Sequence, residues 1–405
     1  MRRPRRLYVT AALSLAAALS LAGVAVVACA SSPGRRAATG TGAPVPASTP
    51  ALTTSSPAGH CSALQVLSRW PLPEVASQTI AVPVEESDVG AVAAAVRSGV
   101  GGVLLFGAEA PADLGSQLAA LRSVTFHHLG LLVMTDEEGG GIQRMANLVG
   151  SMPWPRQMAE TMTPSRIYAL TREVARKMAA NGVSVDLAPV LDVDGRNVYP
   201  GSSDPDGYRS FSGSTSVVTR DGLAYLEGMM AGGVLPVVKH FPGLGGVSGN
   251  TDDGPATTLP WSTLKKVALP PFAAAIAHGV PAVMTSNAVV PGLTTVPVSI
   301  SQVATTTVLR REMGFRGLVI TDSLSAGALS DIGYSVAKAA VAALRAGADV
   351  VLYGLSSSSA ADVNEAVAIR KAIVAAVRIG GFPRSLVDAE AAEVLAAKHV
   401  KLCPG

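Results

Sequence analysis

One pattern recurs along most of this 405-residue chain: a short apolar run followed by an amphipathic segment of helical length. Eight apolar runs predict strands, near residues 79–82, 103–106, 131–134, 183–188, 235–238, 282–285, 318–320 and 350–353. Seven segments predict helices, at residues 91–97, 114–122, 165–180, 217–230, 264–277, 303–313 and 336–345. Strands that are apolar throughout are typical of a parallel sheet buried on both faces.

Eight strand–helix units over roughly 340 residues predict an α/β fold of the (β/α)8 TIM-barrel type. We expect a single catalytic domain at residues 61–405. A doubly wound open sheet is the alternative. It is disfavoured because no dinucleotide- or phosphate-binding glycine pattern follows a predicted strand. Gly243-Leu244-Gly245-Gly246 is glycine-rich, but it lacks the Lys-Ser/Thr end of a phosphate loop.

The first 28 residues have the pattern of a secretory signal peptide: four arginines within the first six positions, then an apolar run that ends at Ala28. Cys29 follows Val26-Val27-Ala28, which resembles a bacterial lipobox. That resemblance implies that Cys29 is diacylated and anchors the protein at the bacterial cell envelope. An ordinary signal peptide or a single membrane span is the alternative, since the apolar run is nearly long enough to cross.

Residues 29–60 are rich in Ser, Thr, Pro, Ala and Gly, which predicts a flexible tether after the lipidated Cys. The formal charge of +3 falls to −1 when residues 1–28, with their four Arg and no acid, are removed. No basic surface is therefore expected, and neither is a nucleic-acid partner. We expect the membrane to be met only through the lipid anchor.

The other two cysteines, Cys61 and Cys403, bracket the predicted barrel. The first and last strands of a closed barrel are neighbours, so both ends of the domain are expected to lie close together. Export makes a Cys61–Cys403 disulfide chemically possible. Two free thiols are the alternative.

Polar side chains follow several predicted strands where each gives way to a loop. Lys239 and His240 follow the fifth strand, and Asp322 follows the seventh. Other strands are followed by Asp136, Asp192, Asp194, Ser286 and Asn287. In a barrel these positions converge on one pocket. Carboxylates accept hydrogen bonds from hydroxyl groups and Lys, Arg and His donate them, so the pocket suits a sugar.

Six motifs occur in this order: Gly102-Val103-Leu104-Leu105-Phe106, Asp136-Glu137-Glu138-Gly139-Gly140-Gly141-Ile142-Gln143-Arg144, Ala188-Pro189-Val190-Leu191-Asp192-Val193, Arg209-Ser210-Phe211, Lys239-His240-Phe241-Pro242-Gly243 and Thr321-Asp322-Ser323-Leu324. Together they resemble the family-3 glycoside hydrolases, in the single-barrel β-N-acetylglucosaminidase (NagZ-like) branch. The resemblance extends from about Cys61 to the end of the chain.

The resemblance implies a retaining glycosidase in which Asp322 is the nucleophile, because an oxocarbenium-like transition state is trapped as a glycosyl ester. It also implies that a subsite for the terminal sugar is formed by Asp136, Arg144, Arg209, Lys239 and His240. Asp192 and Asp194 either contact the sugar or brace the loops. The expected reaction removes terminal β-linked N-acetylglucosamine from peptidoglycan-derived fragments, without a metal or organic cofactor, in a monomer.

One position departs from that branch, whose mobile loop carries a D-S-H triplet with the general acid/base His. Here the triplet reads Asn250-Thr251-Asp252, and the loop contains no His. Asp252 is the candidate acid/base, with Asp253 beside it as the alternative. A neighbouring Asp322 carboxylate would raise the pKa of Asp252. A carboxylate would also repel phosphate, which favours water as acceptor.

The missing His leaves two other functions open. A carbohydrate-binding envelope lipoprotein with weak or lost catalysis is one, since losing the acid costs about 10²–10⁴-fold in rate. A family-3 glycosidase for another sugar, such as a β-glucoside, is the other.

Overall fold

A computed structural model describes residues 61–403 of the chain. The predictions of a signal peptide, of lipidation at Cys29 and of a tether over residues 29–60 all lie outside the described residues. Among the described residues, no helix is both long and apolar enough to cross a membrane.

The strands of this part of the chain, numbered in chain order, are β1 (Ile80–Glu85), β2 (Gly102–Phe106), β3 (Leu132–Thr135), β4 (Glu137–Gly139), β5 (Ile142–Gln143), β6 (Val185–Asp186), β7 (Leu235–Phe241), β8 (Ala282–Thr285), β9 (Leu318–Thr321) and β10 (Val351–Leu352). The helices are α1 (Ala63–Leu67), α2 (Leu72–Gln78), α3 (Ala93–Arg97), α4 (Leu114–Ser123), α5 (Ala146–Val149), α6 (Pro155–Thr161), α7 (Pro164–Ala180), α8 (Thr215–Gly232), α9 (Trp261–Val267), α10 (Leu269–Ala277), α11 (Gly327–Ser330), α12 (Val336–Ala346), α13 (Ser359–Arg378) and α14 (Arg384–Ala397).

Eight of these strands form one parallel sheet in the order β10-β1-β2-β3-β6-β7-β8-β9. A parallel bridge between Ile320 of β9 and Val350, next to β10, brings the two edges together. The sheet is thus a nearly closed barrel with the helices outside it. This confirms the predicted (β/α)8 fold, and the open-sheet alternative is wrong.

The core has two layers because each strand is buried on both faces. The barrel interior is filled by one cluster of apolar side chains, among them Leu104, Leu187, Met284 and Leu352. A larger cluster lies between the outer face of the strands and the helices. Val394 of α14 belongs to the inner cluster, so this last helix covers the N-terminal end of the barrel.

The predicted elements differ from the observed ones in a few places. The predicted helix at 264–277 is two helices, α9 and α10, since Pro270 and Pro271 open the second one. The segment Val303–Glu312 is a π-helix. The antiparallel hairpin β4–β5 and the last two helices, α13 and α14, were not predicted.

The predicted disulfide is confirmed: Cys61 and Cys403 are bonded, with their Cα atoms 5.8 Å apart. The bond joins residues 342 positions apart. It links the residues just before α1 to the residues just after α14. Free thiols at these positions are therefore excluded in this structure.

Candidate active site

A cavity of about 230 Å³ opens at the C-terminal ends of the barrel strands. Its floor is formed by apolar side chains of the barrel interior, including Leu104 and Met284. All seven residues predicted to catalyse or bind line its walls: Asp136, Arg144, Arg209, Lys239, His240, Asp252 and Asp322. The barrel thus brings together side chains that are far apart in sequence.

A buried ion-pair network forms one wall. Lys239 Nζ lies 2.7 Å from Asp136 Oδ1 and 2.6 Å from Glu138 Oε1. Arg209 donates two hydrogen bonds to Glu138, each 2.8 Å long. Lys239 is only 2% exposed and Glu138 only 1%. Because each charge has an opposite partner, the network can stay ionised without water and present fixed donors to a ligand.

The opposite charges of this network stabilise each other in the ionised form. Burial alone would raise the pKa of Glu138, but Arg209 and Lys239 hold it well below its usual range. Burial alone would lower the pKa of Lys239, but Asp136 and Glu138 raise it above its usual value. The second carboxylate oxygen of Asp136, Oδ2, lies 4.0 Å from Arg144 Nη2. The Arg144 side chain also lies over the Phe106 ring.

Glu138 is a functional candidate that the sequence reasoning did not single out. It stands in the short strand β4, which leaves the barrel directly after β3 and returns as β5. The predicted sugar subsite contained the cations Lys239 and Arg209, but Asp136 alone as a counter-charge. A second acid nearby in the sequence, such as Glu138, could have been predicted from this imbalance.

His240 is oriented by Asp192. The ring nitrogen Nδ1 lies 2.6 Å from Asp192 Oδ2, and the backbone N–H of His240 also donates to this carboxylate. The backbone N–H of Leu244 donates to Asp192 Oδ1 over 2.7 Å. Asp194 accepts from the backbone N–H of Arg196. Neither aspartate lines the cavity, and their hydrogen bonds favour bracing of the surrounding loops over contact with the sugar.

Asp322 directly follows β9 and lines the cavity. Its backbone N–H donates to the carbonyl of Thr285 in β8, and its Oδ1 accepts from the backbone N–H of Ser323 over 2.7 Å. The first bond fixes the backbone at the strand end, and the second orients the carboxylate. A carboxylate held this way is suited to attack an electrophilic carbon above it.

The segment with Asp252 is attached to the neighbouring loop on the Asp322 side. The N–H groups of Gly327 and Ala328 in α11 donate to the carbonyls of Asp252 and Thr251, over 3.0 and 2.9 Å. Thr251 itself is buried. Desolvation by the neighbouring groups raises the pKa of Asp252, and the Asp322 carboxylate raises it further, although Asp252 as a residue is exposed. A carboxyl group with a raised pKa is suited to donate a proton.

One group among residues 61–403 has the composition of a metal site: Asp192, Asp206 and His240, all buried, with ligand atoms within 4.8 Å of one another. Asp192 already accepts hydrogen bonds from His240 and Leu244. Both carboxylate oxygens of Asp206 are buried without a hydrogen-bond partner, and burial and Asp192 raise the pKa of Asp206 well above its usual value. The raised pKa favours the neutral, protonated form of Asp206, because a buried carboxylate without a hydrogen-bond partner is costly to ionise.

Comparison with known proteins gives the same fold and family. Beta-hexosaminidase LpqI of Mycobacterium tuberculosis (strain ATCC 25618 / H37Rv) is 35% identical over 281 residues, 67% of this chain and 68% of the relative. An uncharacterized secreted glycosyl hydrolase of Arthroderma benhamiae is 32% identical over 291 residues, 69% of this chain and 79% of the relative. The crystal structure of beta-N-acetylhexosaminidase from Beutenbergia cavernae DSM 12333 superposes with a TM-score of 0.71 at 29% identity, covering 82% of this chain and 99% of that one.

The sequence model of the Glycosyl hydrolase family 3 N terminal domain matches residues 78–397, which is nearly the whole barrel. The chain therefore belongs to glycosyl hydrolase family 3.

Proposed function

We propose that this glycoside hydrolase is a retaining β-N-acetylhexosaminidase that removes terminal β-linked N-acetylglucosamine from cell-wall saccharides. The observation that carries this proposal is the position of Asp322 in the same cavity as the Asp136–Lys239–Glu138–Arg209 network and Asp252. A nucleophile, hydroxyl-binding groups and an acid are thereby available around one sugar ring. The names of the hexosaminidase relatives support the choice of sugar.

In the first step, an Asp322 oxygen attacks the anomeric carbon while the bond to the leaving oxygen breaks. Asp252 transfers its proton to that oxygen, so the leaving group departs as a neutral alcohol. The sugar remains as an ester of Asp322. In a retaining enzyme the two carboxyl groups stand about 5–5.5 Å apart when the step occurs.

In the second step, water attacks the same carbon and the ester bond to Asp322 breaks. Asp252, now ionised, takes the proton from the water, which restores both carboxyl groups. The binding residues Asp136, Arg144, Arg209, Lys239 and His240 hold the hydroxyl groups during both steps. Their ion pairs exist before substrate arrives, so little reorganisation is needed.

The test is hydrolysis of a chromogenic β-N-acetylglucosaminide by residues 61–405, compared with the Asp322→Asn variant. We expect turnover by the wild type and a loss of at least about a thousandfold in the variant. Wild-type hydrolysis of a β-glucoside but not of the N-acetylglucosaminide would refute the proposed substrate. Undiminished turnover by Asp322→Asn would refute the nucleophile.

A second candidate, a carbohydrate-binding protein with lost turnover, is favoured by one observation: Asp252 stands where related enzymes are expected to have His. Calorimetric titration of N-acetylglucosamine into the wild type decides between the two. Binding without any hydrolysis would support the second candidate.

We further propose export by the signal peptide and attachment to the envelope through a lipid on Cys29. Expression of the full chain in a bacterial host, followed by detergent phase separation, tests this. The wild type is expected in the detergent phase and Cys29→Ser in the aqueous phase. An aqueous wild type would contradict the anchor but leave the hydrolase assignment intact.

A further inference from the structure

A second cavity, of about 440 Å³, opens beside the first. The two share Ile142, Pro205, Arg209, Asn250 and Asp252 as lining residues. Asp252, the proposed acid, therefore lies on the boundary between them. The leaving oxygen must be within reach of this acid, with the sugar over Asp322 on one side. The second cavity therefore lies on the side of Asp252 that faces away from the proposed sugar position over Asp322.

The walls of the second cavity are aromatic. Trp154 and Tyr199 line it, with ring centroids 6.1 Å apart. Tyr208 packs edge-on behind Tyr199, with centroids 5.1 Å apart. Tyr199 is 71% exposed, although large apolar rings usually avoid water. An exposed ring beside a polar cleft provides an apolar face together with a hydroxyl group, a combination typical of binding positions.

The indole of Trp154 is held against glycines of the hairpin. A Cβ atom on Gly140, which has φ +59°, would lie 2.0 Å from Trp154 Cδ2, and a Cβ on Gly141 would lie 3.0 Å from Cζ2. Only glycines allow the ring to lie this close to the backbone. The glycines that follow Glu138 in the sequence thus place Trp154 at the cavity wall.

The segment with Tyr199 is also held in place. The N–H of Tyr208 donates to the carbonyl of Val198 over 2.9 Å. The N–H of Asn250 donates to the carbonyl of Ser202, also over 2.9 Å. The second bond ties this segment directly to the loop that contains Asp252. These bonds fix the position of Tyr199 relative to the proposed acid, Asp252.

We propose that Trp154 and Tyr199 form a stacking platform for the pyranose ring on the leaving-group side of the cleaved bond. The proposal rests on the proposed function, because Asp322 and Asp252 define where the bond lies. One face of a pyranose ring consists of C–H groups, and these pack against an aromatic face. Among the residues that the structure describes, Arg209 and Asp252 are the charged ones that line this cavity, and their opposite charges favour an uncharged sugar. The protein then prefers oligosaccharides to simple alkyl glycosides.

The test compares two substrates, methyl β-N-acetylglucosaminide and N,N′-diacetylchitobiose, and avoids aromatic leaving groups because they could stack themselves. For Tyr199→Ala we expect kcat/KM on the disaccharide to fall about tenfold, with less than about a twofold change on the methyl glycoside. Tyr199→Phe keeps the ring and should retain wild-type values. Val198→Ala, at the adjacent exposed position, is the matched control. Equal losses on both substrates, or no loss on the disaccharide, would overturn the platform.

A binding measurement tests the platform even if the proposed catalysis fails. In the Asp322→Asn background, Tyr199→Ala is expected to weaken binding of the disaccharide about tenfold and to leave N-acetylglucosamine binding unchanged. Unchanged disaccharide affinity would refute the platform. Trp154→Ala should follow Tyr199→Ala on both substrates, with thermal unfolding showing whether the variant is folded.

Discussion

At the residue scale, Asp252 is the position on which the proposed chemistry most depends. Its raised pKa has two main causes, desolvation by the neighbouring groups and the Asp322 carboxylate, although the residue is exposed. A proton held there is lost as pH rises through that raised pKa, so kcat/KM should fall on the alkaline side. When the sugar is bound to Asp322 as an ester, Asp322 has no negative charge, so it no longer raises the pKa of Asp252. The same group can then act as a base in the second step.

Asp252→Asn is expected to lower kcat/KM for an alkyl glycoside by about 10²–10⁴-fold, because this leaving group needs a proton. The loss should be much smaller for a dinitrophenyl glycoside, which leaves without one. Steady-state kinetics over a pH range measures both effects, and the alkaline limb should disappear with the variant. Asp253→Asn is the matched control. A large loss in Asp253→Asn instead would transfer the role to that residue.

Glu86 is buried but does not line the cavity, and it affects stability instead. It is 2% exposed, and burial raises its pKa to about 7. Between pH 4.5 and 7 the folded protein keeps this proton while the unfolded chain has lost it. The contribution of Glu86 to stability therefore falls as pH rises through this window, by roughly 3 kcal/mol at most.

Glu86→Gln removes that titration with little change in shape. The variant should match the wild type near pH 4 and have a higher unfolding temperature at pH 8, as measured by thermal unfolding. Glu85→Gln, at the exposed neighbouring position, should show no such difference. Equal unfolding temperatures of Glu86→Gln and wild type at pH 8 would contradict the raised pKa.

At the scale of elements, the short helix α11 positions the loop of the proposed acid. A Cβ atom on Gly327 would lie 2.8 Å from the carbonyl oxygen of Asp252 and from two further backbone atoms of that loop. Gly327 also donates its N–H to the same oxygen. The glycine is therefore needed for close approach of two backbones that bring Asp252 and Asp322 together.

Gly327→Ala should push the loop away and lower kcat/KM by about ten- to a hundredfold, since small displacements of a catalytic group have large effects. Gly254→Ala, in the same loop, is the control because its Cβ would meet only the Asp331 side chain, at 3.4 Å. Enzyme kinetics and a thermal unfolding curve for both variants provide the measurement. Equal activity of the two variants would refute the positioning role.

The elements also show what the sequence could and could not predict. The barrel strands were predictable because each is an apolar run buried on both faces, and the residues after them could be placed at one mouth. The hairpin β4–β5 was not, since strands of three and two residues leave no periodic pattern. Glu138 was missed for that reason. The strand predicted at 183–188 is only Val185–Asp186, where Pro189 soon follows without an N–H to donate.

At the scale of the whole molecule, the Cys61–Cys403 bond spans nearly the entire described chain. Its removal frees a very long loop in the unfolded state, so Cys61→Ser with Cys403→Ser should lose about 2–5 kcal/mol of stability. Thermal unfolding under non-reducing conditions measures this, and reduced wild type should resemble the variant. Activity at 25 °C should be unchanged, because the cavity lies at the strand ends away from α14. A loss of activity at 25 °C in the folded double variant would contradict the expectation that the disulfide affects stability alone.

A body whose first and last residues are only 5.8 Å apart at the Cα atoms is close to a ring. The same barrel could therefore be built from a chain that begins at a different strand–helix unit. A circularly permuted gene could join both ends by a short linker and open the ring at exposed Gly380, between α13 and α14. Such a chain would begin with its present last helix and still assemble the same sugar-binding mouth.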